Sequence, residues 1–377
     1  MNLKNDLKRV VKKIAAILYP VGKDKVLFIN FNGRGYGCNP KYIAEELISR
    51  NEPYHYVWLV NDLNEPMPKE IEKVYIKSWK AKIELLTAKV WVFNVRNYKG
   101  IDKRKGQYYI QTWHSSIGLK KVEGDVKDFP EVSRKESMYD GQITDLMFAN
   151  NDFRANQIRR AFWYDGPIIK CGVPRNAVLF NTPQSLRSKV LNEFGIKDGY
   201  GIILYAPTFR IKSGAETYVW DYKRICKAFE EKYHKKYVML LRLHPYVMEQ
   251  SQDITFDKDV INASKYPDMQ ELLAVADFLI TDFSSCAFDF SFAKKPVLLF
   301  AKDKKSYLSN ERELLLDIDS LPYAFSETEE ELLNDIESFS ENEYEKKCNE
   351  FFNSIGLHED GQGAKVIADW IEKKMME

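Results

Sequence analysis

Short runs of consecutive apolar residues, separated by helix-like stretches, recur along nearly the whole chain. The clearest runs are VLFINF at 26–31, YVWLV at 56–60, VWVFNV at 90–95, GIILYA at 201–206 and PVLLF at 296–300. Strands that stay apolar without alternation are covered on both faces, and strands that alternate with helices form parallel sheets. The pattern therefore predicts an α/β fold in which helices cover both faces of parallel sheets.

The length of the chain favours two such sheets over one, because 377 residues exceed the roughly 150 of an average domain. The turn-rich stretch that follows Pro174 and includes Pro183 is the expected joint. We predict two Rossmann-like domains, 21–182 and 183–355, that face each other across a cleft. A C-terminal helix within 356–377 is expected to cross back to the first domain.

Residues 1–20 differ from the rest of the chain in charge. They hold five basic residues against Asp6, although the whole chain carries a formal charge of only +1. Their apolar side chains recur at the spacing of one helix face, at Leu3, Leu7, Val10, Ile14, Ile17 and Leu18. We predict an amphipathic helix that lies on an anionic membrane surface. A surface helix packed on its own domain has the same pattern, so that interpretation also stays open.

Composition excludes several classes of protein. The 56 Lys and Arg residues balance 55 Asp and Glu residues, which argues against a nucleic-acid-binding protein. Five widely spaced cysteines without a Cys-x-x-Cys pair argue against a disulfide scaffold or a structural zinc site. No apolar run approaches the ~18–20 residues that a membrane span needs, and the N-terminus lacks the pattern of a secretory signal.

Polar side chains stand directly after three predicted strands of the second half: Thr208 and Arg210, then His244, then Asp282, Ser284 and Ser285. Ligands of open parallel sheets bind beyond the carboxyl ends of the strands, and the first turn of a helix attracts anions. The pattern therefore predicts a diphosphate site. Helix capping by Ser284 and a structural histidine are the competing interpretations.

In the first half, His114, Ser115 and Ser116 follow the predicted strand at 108–112. A histidine with a pKa near neutrality is suited to taking a proton from an attacking hydroxyl, and a histidine bonded into its loop is the alternative. The glycine loop that contains Gly33 and Gly35 lacks the Lys-Ser/Thr pair of a P-loop. We expect it to let an acceptor approach the backbone.

Six motifs in order resemble the CDP-glycerol glycerophosphotransferase family of teichoic-acid primases and polymerases: TWHSSIGLKK, CGVPRN, LYAPTFR, LRLHP, YPDMQELL and ITDFSSCAFDFSFAKKPVLLF. The similarity extends from about Asn30 almost to the C-terminus. It implies a glycosyltransferase-B-like fold, with the acceptor on the side of the first domain and the CDP-polyol in the second. It also implies transfer of a polyol phosphate to a hydroxyl of a lipid-linked acceptor, with release of CMP.

The resemblance also implies roles for individual residues. The histidine of the family's Trp-His motif corresponds to His114, the expected general base. The histidine of its Arg-Leu-His-Pro motif corresponds to His244, which would bind the donor diphosphate together with Thr208, Arg210, Asp282, Ser284 and Ser285. Three positions depart from the family pattern and put the acceptor and the polyol in doubt: Ser115-Ser116-Ile117 for Gly-Thr-Pro, Phe283 for tyrosine and Ala177 for aspartate.

The sequence therefore predicts an enzyme with no metal or cofactor, bound peripherally at the cytoplasmic face of the membrane. Its expected partners are CDP-glycerol or CDP-ribitol, an undecaprenyl-type lipid-linked acceptor and the anionic membrane surface. Primase and polymerase activity, and wall teichoic acid and capsule, are not distinguished. A glycosyltransferase that uses a nucleotide sugar, and a non-catalytic nucleotide-binding protein, are the alternatives.

Overall fold

The computed structural model describes residues 17–96, 101–212, 215–244, 247 and 254–377. The first sheet has five parallel strands in the order β3-β2-β1-β4-β5. Its strands are β1 (Lys25–Ile29), β2 (His55–Val60), β3 (Ile71–Tyr75), β4 (Val90–Phe93) and β5 (Tyr108–Gln111). A short parallel pair, β6 (Met147–Ala149) and β7 (Ile168–Lys170), continues beside β5 through a bridge between Ile110 and Leu146.

The second sheet has six parallel strands in the order β10-β9-β8-β11-β12-β13. They are β8 (Gly201–Tyr205), β9 (Tyr237–Leu241), β10 (Val260–Asn262), β11 (Phe278–Thr281), β12 (Val297–Phe300) and β13 (Ala324–Ser326). The prediction of an α/β fold with parallel sheets is confirmed. Because β9, β8 and β11 are adjacent, the polar residues that follow them lie along one stretch of the carboxyl edge.

Helices connect the strands in both halves. Those of the first half and the joint are α1 (Cys38–Ser49), α2 (Trp79–Thr87), α3 (Glu131–Ile143), α4 (Asp152–Ala161), α5 (Ala177–Phe180) and α6 (Gln184–Phe194). Those of the second half are α7 (Tyr222–Tyr233), α8 (Met269–Val275), α9 (Cys286–Phe292), α10 (Lys304–Asn310), α11 (Glu329–Ser338), α12 (Glu341–Ser354) and α13 (Gly363–Met376).

The hydrophobic core lies on both faces of each sheet, as unbroken apolar strands require. In β1, Val26 packs with Ile43 of α1, and the next residue, Leu27, packs with Leu85 of α2. Ile203 and Leu204 of β8 likewise belong to separate clusters on opposite faces of the second sheet.

The last helix, α13, packs on the first sheet although it follows the second in sequence. Ile367 and Ile371 are fully buried in the same cluster as Val26. Arg50, which ends α1, forms ion pairs with Asp369 at 2.7 Å and Glu372 at 2.8 Å. The chain therefore crosses between the two sheets twice.

The segment at the joint of the two sheets is held by buried polar contacts. Arg175 donates two hydrogen bonds to Asp289 of α9, from Nη2 at 2.7 Å and from Nε at 3.0 Å. Lys41 of α1 lies 2.6 Å from Asp268 and 2.7 Å from Glu271 of α8. These contacts fix the second sheet relative to the first. The predicted domain boundaries themselves stay a prediction.

Most of the predicted N-terminal helix, residues 1–16, lies outside the described residues. Ile17 and Leu18, which the structure does describe, expose 79% and 65% of their surface. Within the described ranges, no helix combines the length and apolar character needed to cross a membrane.

Candidate active site

A cavity of about 190 Å³ lies between the carboxyl edges of the two sheets. It is lined by residues of three segments: Trp113, His114, Ser115, Gly118, Leu119, Lys120 and Val122 after β5, Phe283, Ser284 and Ser285 after β11, and Arg312. The structure therefore brings the predicted base together with the two predicted anion-binding serines. We call this space the serine cavity.

The backbone of the loop that follows β4 orients the His114 ring. Its Nδ1 lies 2.8 Å from the carbonyl oxygen of Asn94. Because a carbonyl oxygen can only accept, Nδ1 carries the proton, and the lone pair of the neutral ring is on Nε2. Burial and, to a smaller extent, the charges of Arg175, Arg154 and Arg312 lower the pKa of His114 to about 4, although the hydrogen bond to Asn94 acts in the opposite direction. The ring is thus a neutral base at physiological pH.

The residues around His114 hold the ring in place. Trp113 adopts a left-handed backbone conformation with φ 50°, and its indole stacks on the His114 ring at a centroid distance of 4.5 Å. The Phe31 ring packs against the His114 ring in an edge-to-face arrangement, with a centroid distance of 5.2 Å. The side chain of Asn94 accepts from the Phe31 amide at 2.8 Å and donates to Asn30 at 2.7 Å. This network links His114 to the glycine loop.

Gly33 and Gly35 shape that loop but do not line the serine cavity. Gly33 has φ +88°, and a Cβ there would lie 3.2 Å from the backbone nitrogen of Asn61. Asn30 donates to the carbonyl oxygens of Arg34 and Gly35, at 2.7 and 3.3 Å. In this structure the glycines close a tight turn, and their predicted contact with an acceptor stays a prediction.

Ser284 and Ser285 stand at the start of α9. Ser285 is the N-cap residue, yet its side chain makes no capping hydrogen bond. The Ser284 hydroxyl accepts from the Cys286 amide at 3.4 Å, which is a long bond. Ser115 lines the same cavity, whereas Ser116 is buried behind it at 1% exposure. Of the predicted serines, Ser115, Ser284 and Ser285 therefore line the cavity.

Arg210 and Asp282 pair with each other and do not line the serine cavity. Arg210 lies 2.5 Å from Asp282 and binds Asp303 through two bonds of 2.8 and 2.9 Å. Asp282 also accepts from the backbone amides of Thr208 at 2.8 Å and Phe283 at 2.6 Å. The pair therefore fixes the loops after β8 and β11, and its predicted contact with the donor phosphates stays a prediction.

His244 follows β9 and stacks on Phe209 at a centroid distance of 4.4 Å. The side chain is exposed and does not line the serine cavity. Phe209 is next to Thr208 in sequence, so His244 flanks the same edge of the sheet as the serines. Its predicted contact with the donor diphosphate stays a prediction.

Lys120 is a candidate functional residue that the sequence reasoning did not single out. Its Nζ lies 3.5 Å from the Thr208 hydroxyl, across the space between the two sheets. Burial lowers its pKa to about 8, and Arg312 and Arg210 act in the same direction. A half-buried ammonium that is bonded only weakly favours an anion as its partner. The quoted motif TWHSSIGLKK contains Lys120, but nothing in the motif separates it from the exposed Lys121 beside it.

The loop of Lys120 is anchored to the second half by backbone pairing. Lys120 and Leu314 form an antiparallel bridge, and the Leu315 amide donates to the Leu119 carbonyl at 2.7 Å. This pairing also places Arg312 in the cavity lining. Among the residues that the structure describes, no group of three or more His, Cys, Asp or Glu side chains is arranged to hold a metal ion.

Two facing parallel sheets, with a neutral histidine opposite hydroxyl and cationic groups, define a transferase of the glycosyltransferase-B type. The sequence matches the family described as CDP-glycerol:poly(glycerophosphate) glycerophosphotransferase over residues 11–373. The chain belongs to this family.

Individual relatives agree with that assignment. The chain is 26% identical to the teichoic acid poly(glycerol phosphate) polymerase of Bacillus spizizenii, over 96% of this chain and 94% of the relative. It is also 26% identical to the teichoic acid glycerol-phosphate transferase of Staphylococcus aureus, over 98% of this chain and all of the relative. The chain spans about half the length of two further curated relatives that it matches.

A solved structure of the wall teichoic acid polymerase TagF, soaked with CDPG, superposes with a TM-score of 0.85 at 25% identity. It covers 100% of this chain and 99% of the matched chain. The predicted family and fold are thus confirmed.

Proposed function

We propose that the chain transfers glycerol phosphate from CDP-glycerol to a hydroxyl of a teichoic-acid-type acceptor and releases CMP. One observation carries the proposal: His114 and the pair Ser284 and Ser285 come from different sheets and line one cavity. A base that faces a polar, cationic pocket suits the attack of an alcohol on a bound diphosphate. The family assignment and the relatives named above support the same reaction.

In the proposed reaction the donor diphosphate lies against Lys120, Ser284 and Ser285, with Thr208 beside them. The ammonium and the hydroxyls donate hydrogen bonds to phosphate oxygens, and the positive charge of the ammonium balances the negative charge that develops during transfer. Arg210 and Asp282 act as positioning residues, because they hold the two loops that carry these donors.

Nε2 of His114 takes the proton of the acceptor hydroxyl as its oxygen attacks the phosphorus that bears glycerol. The bond between that phosphorus and the bridging oxygen breaks, and the electron pair leaves with CMP. The carbonyl of Asn94 keeps the proton on Nδ1 throughout, so Nε2 stays the accepting atom.

The test is incubation of the full chain with CDP-glycerol, CDP-ribitol and UDP-sugars, each with a soluble glycerol-phosphate-ended acceptor, followed by mass analysis. We expect CMP release and an acceptor that is heavier by one or more polyol phosphate units. Release of UDP from a UDP-sugar would assign the chain to the nucleotide-sugar glycosyltransferases. Binding of CDP-glycerol without CMP release would identify a non-catalytic nucleotide-binding protein.

We also propose that the natural acceptor is lipid-linked and that residues 1–20 bring the enzyme to the cytoplasmic face of an anionic membrane. The five basic residues of this segment and the exposed side chains of Ile17 and Leu18 support this role. Deletion of 1–20 is expected to reduce binding to phosphatidylglycerol vesicles and to leave CMP release on a soluble acceptor unchanged. Unchanged vesicle binding would contradict it.

A further inference from the structure

A second and larger cavity, of about 630 Å³, adjoins the serine cavity at Trp113 and His114. It shares these two residues, Val122 and Arg312 with the serine cavity. Its remaining lining is polar and charged apart from Val126 and Phe129: Arg96, Lys121, Glu123, Lys127, Asp128, Glu311 and Glu313. We call it the glutamate cavity. Its volume is typical of a ligand site and exceeds what one glycerol unit fills.

Glu123 is the unusual residue of this cavity. Its side chain is 7% exposed, and its Oε2 atom has no hydrogen-bond partner among the residues that the structure describes. The guanidinium of Arg96 approaches it with Nε 3.7 Å away, which is too long for a hydrogen bond. A buried carboxylate oxygen without a hydrogen bond is costly and rare in folded proteins. The site therefore lacks a donor that a ligand would supply.

The backbone at Glu123 is also strained. The residue has φ 50°, in the left-handed region that a non-glycine residue seldom occupies, at the start of the single turn Glu123–Asp125. Strained backbone that persists in a native structure is concentrated at ligand sites. Rotation about χ3 of a glutamate is soft, so either carboxylate oxygen can turn toward a bound hydroxyl.

Other charges of the lining are already engaged. Lys121 pairs with Glu313 at 2.6 Å, and Glu311 accepts from the backbone amides of Ile211 and Lys212. Arg96 donates to the Ser133 carbonyl at 2.9 Å and also lies 3.8 Å from Glu136. The lining further holds the cations Lys127 and Arg312 and the carboxylates Glu123 and Asp128. Such a lining suits a ligand that carries both hydroxyl groups and a phosphodiester.

We propose that the glutamate cavity binds the terminal polyol phosphate of the acceptor, with the Glu123 carboxylate accepting a hydrogen bond from the hydroxyl next to the nucleophile. Arg96 and Arg312 then face the adjacent phosphodiester. This inference rests on the proposed function and adds the acceptor class: a chain end with a vicinal diol. This placement brings the attacking hydroxyl of the acceptor to His114, where it faces the donor in the serine cavity.

The test uses the full chain and two synthetic soluble acceptors. One ends in glycerol phosphate, and the other ends in 3-hydroxypropyl phosphate, which lacks the second hydroxyl. Glu123→Gln keeps the shape and removes the charge. We expect it to raise the KM and calorimetric Kd of the diol acceptor about 10-fold, without changing the KM of CDP-glycerol, since a hydrogen bond to a charged group is about twice as strong as a neutral one.

On the acceptor without the second hydroxyl, wild type and Glu123→Gln are expected to behave alike, which a purely structural role would not produce. Glu136→Gln is the matched control, because Glu136 lies 3.8 Å from the same Arg96 but outside the cavity lining. An acceptor with the same diol on an uncharged ether should bind wild type more weakly, and equal binding would overturn the role of the cations.

The proposal fails if Glu123→Gln leaves the KM and Kd of the diol acceptor unchanged, or weakens both acceptors equally. Thermal unfolding of the variant shows that it is folded. Absence of CMP release by wild type with every CDP-polyol would refute the proposed function instead. Calorimetric binding of the two acceptors still decides the role of Glu123 in that case.

Discussion

The joint between the two sheets and the serine cavity are built from the same residue types but differ in how those residues are paired. At the joint, the buried Arg175 and Lys41 each have carboxylate partners within 3.0 Å. In the serine cavity, Lys120 has a hydroxyl at 3.5 Å, and the N-cap Ser285 makes no side-chain capping bond. Paired buried charges hold a structure together, whereas weakly bonded ones favour a ligand.

Two lysines with similarly lowered pKa values show the same contrast between a well-bonded and a weakly bonded charge. Burial lowers the pKa of Lys295 and that of Lys120 to about 8. Lys295 donates to three backbone carbonyls at the end of α8, those of Leu273, Ala274 and Ala276. A lowered pKa alone therefore does not identify a site. The cavity and the weak bonding of Lys120 do.

The largest expected effect is the loss of turnover in His114→Ala. A positioned general base contributes about 10²- to 10⁴-fold, so we expect kcat to fall by that factor. CDP-glycerol binding, measured by calorimetry, should be retained, because the diphosphate contacts lie on other residues. Turnover within a few-fold of wild type would refute the assignment of the base.

The pH dependence of wild type provides a separate test of the same residue. The neutral ring is the active form, so activity is lost as pH falls through the lowered pKa of His114, about 4. We expect kcat/KM for the donor to stay level through pH 6. An acid limb at the ordinary histidine pKa near 6.5 would contradict the buried, carbonyl-bound geometry.

At the joint, Arg175→Met is expected to lower the free energy of unfolding. It leaves the buried carboxylate of Asp289 without its guanidinium partner, and breaking such a pair typically costs about 3–5 kcal/mol. Urea unfolding measures the loss. The double variant Arg175→Met/Asp289→Leu should recover much of it, since no buried charge is then left. An unchanged free energy of unfolding in Arg175→Met would show that the pairing does not stabilise the joint.

Lys120→Ala is expected to weaken donor use by about 10- to 100-fold in kcat/KM, since a hydrogen bond to a charged group is worth about 1.5–3 kcal/mol. In wild type the ammonium is lost as pH rises through about 8, so kcat/KM should fall there. Lys120→Arg should move that limb to higher pH. Lys295→Met should lower the melting temperature and leave the limb in place, and the reverse outcome would exchange the two roles.

The smallest effect concerns Glu359, a half-buried carboxylate at the joint. Its Oε2 accepts from the Val173 amide at 3.0 Å and from Asn150 at 2.8 Å, and burial raises its pKa to about 7. A carboxyl group with a raised folded pKa binds more protons when folded, so wild type should lose stability as pH rises from about 4.5 to 7.

Glu359→Gln keeps one acceptor oxygen and carries no charge, so it should flatten this part of the stability profile. Melting temperatures of wild type and variant between pH 4.5 and 8 measure the difference. Asp360→Asn, at the exposed neighbouring position, should leave the slope of wild type unchanged. Parallel profiles for wild type and Glu359→Gln would contradict the raised pKa.

Sequence alone predicted the α/β class, the parallel strands and the family, because unbroken apolar runs and ordered motifs are local properties of the chain. It also selected His114, Ser284 and Ser285, since polar residues after strands meet at one edge of a sheet. Only the tertiary structure separated Lys120 from Lys121 and placed Arg210 and Asp282 in an internal pair. It also revealed that Oε2 of the buried Glu123 has no hydrogen-bond partner within the described part of the chain. Pairing and burial depend on contacts between distant segments, and spacing along the sequence does not encode them.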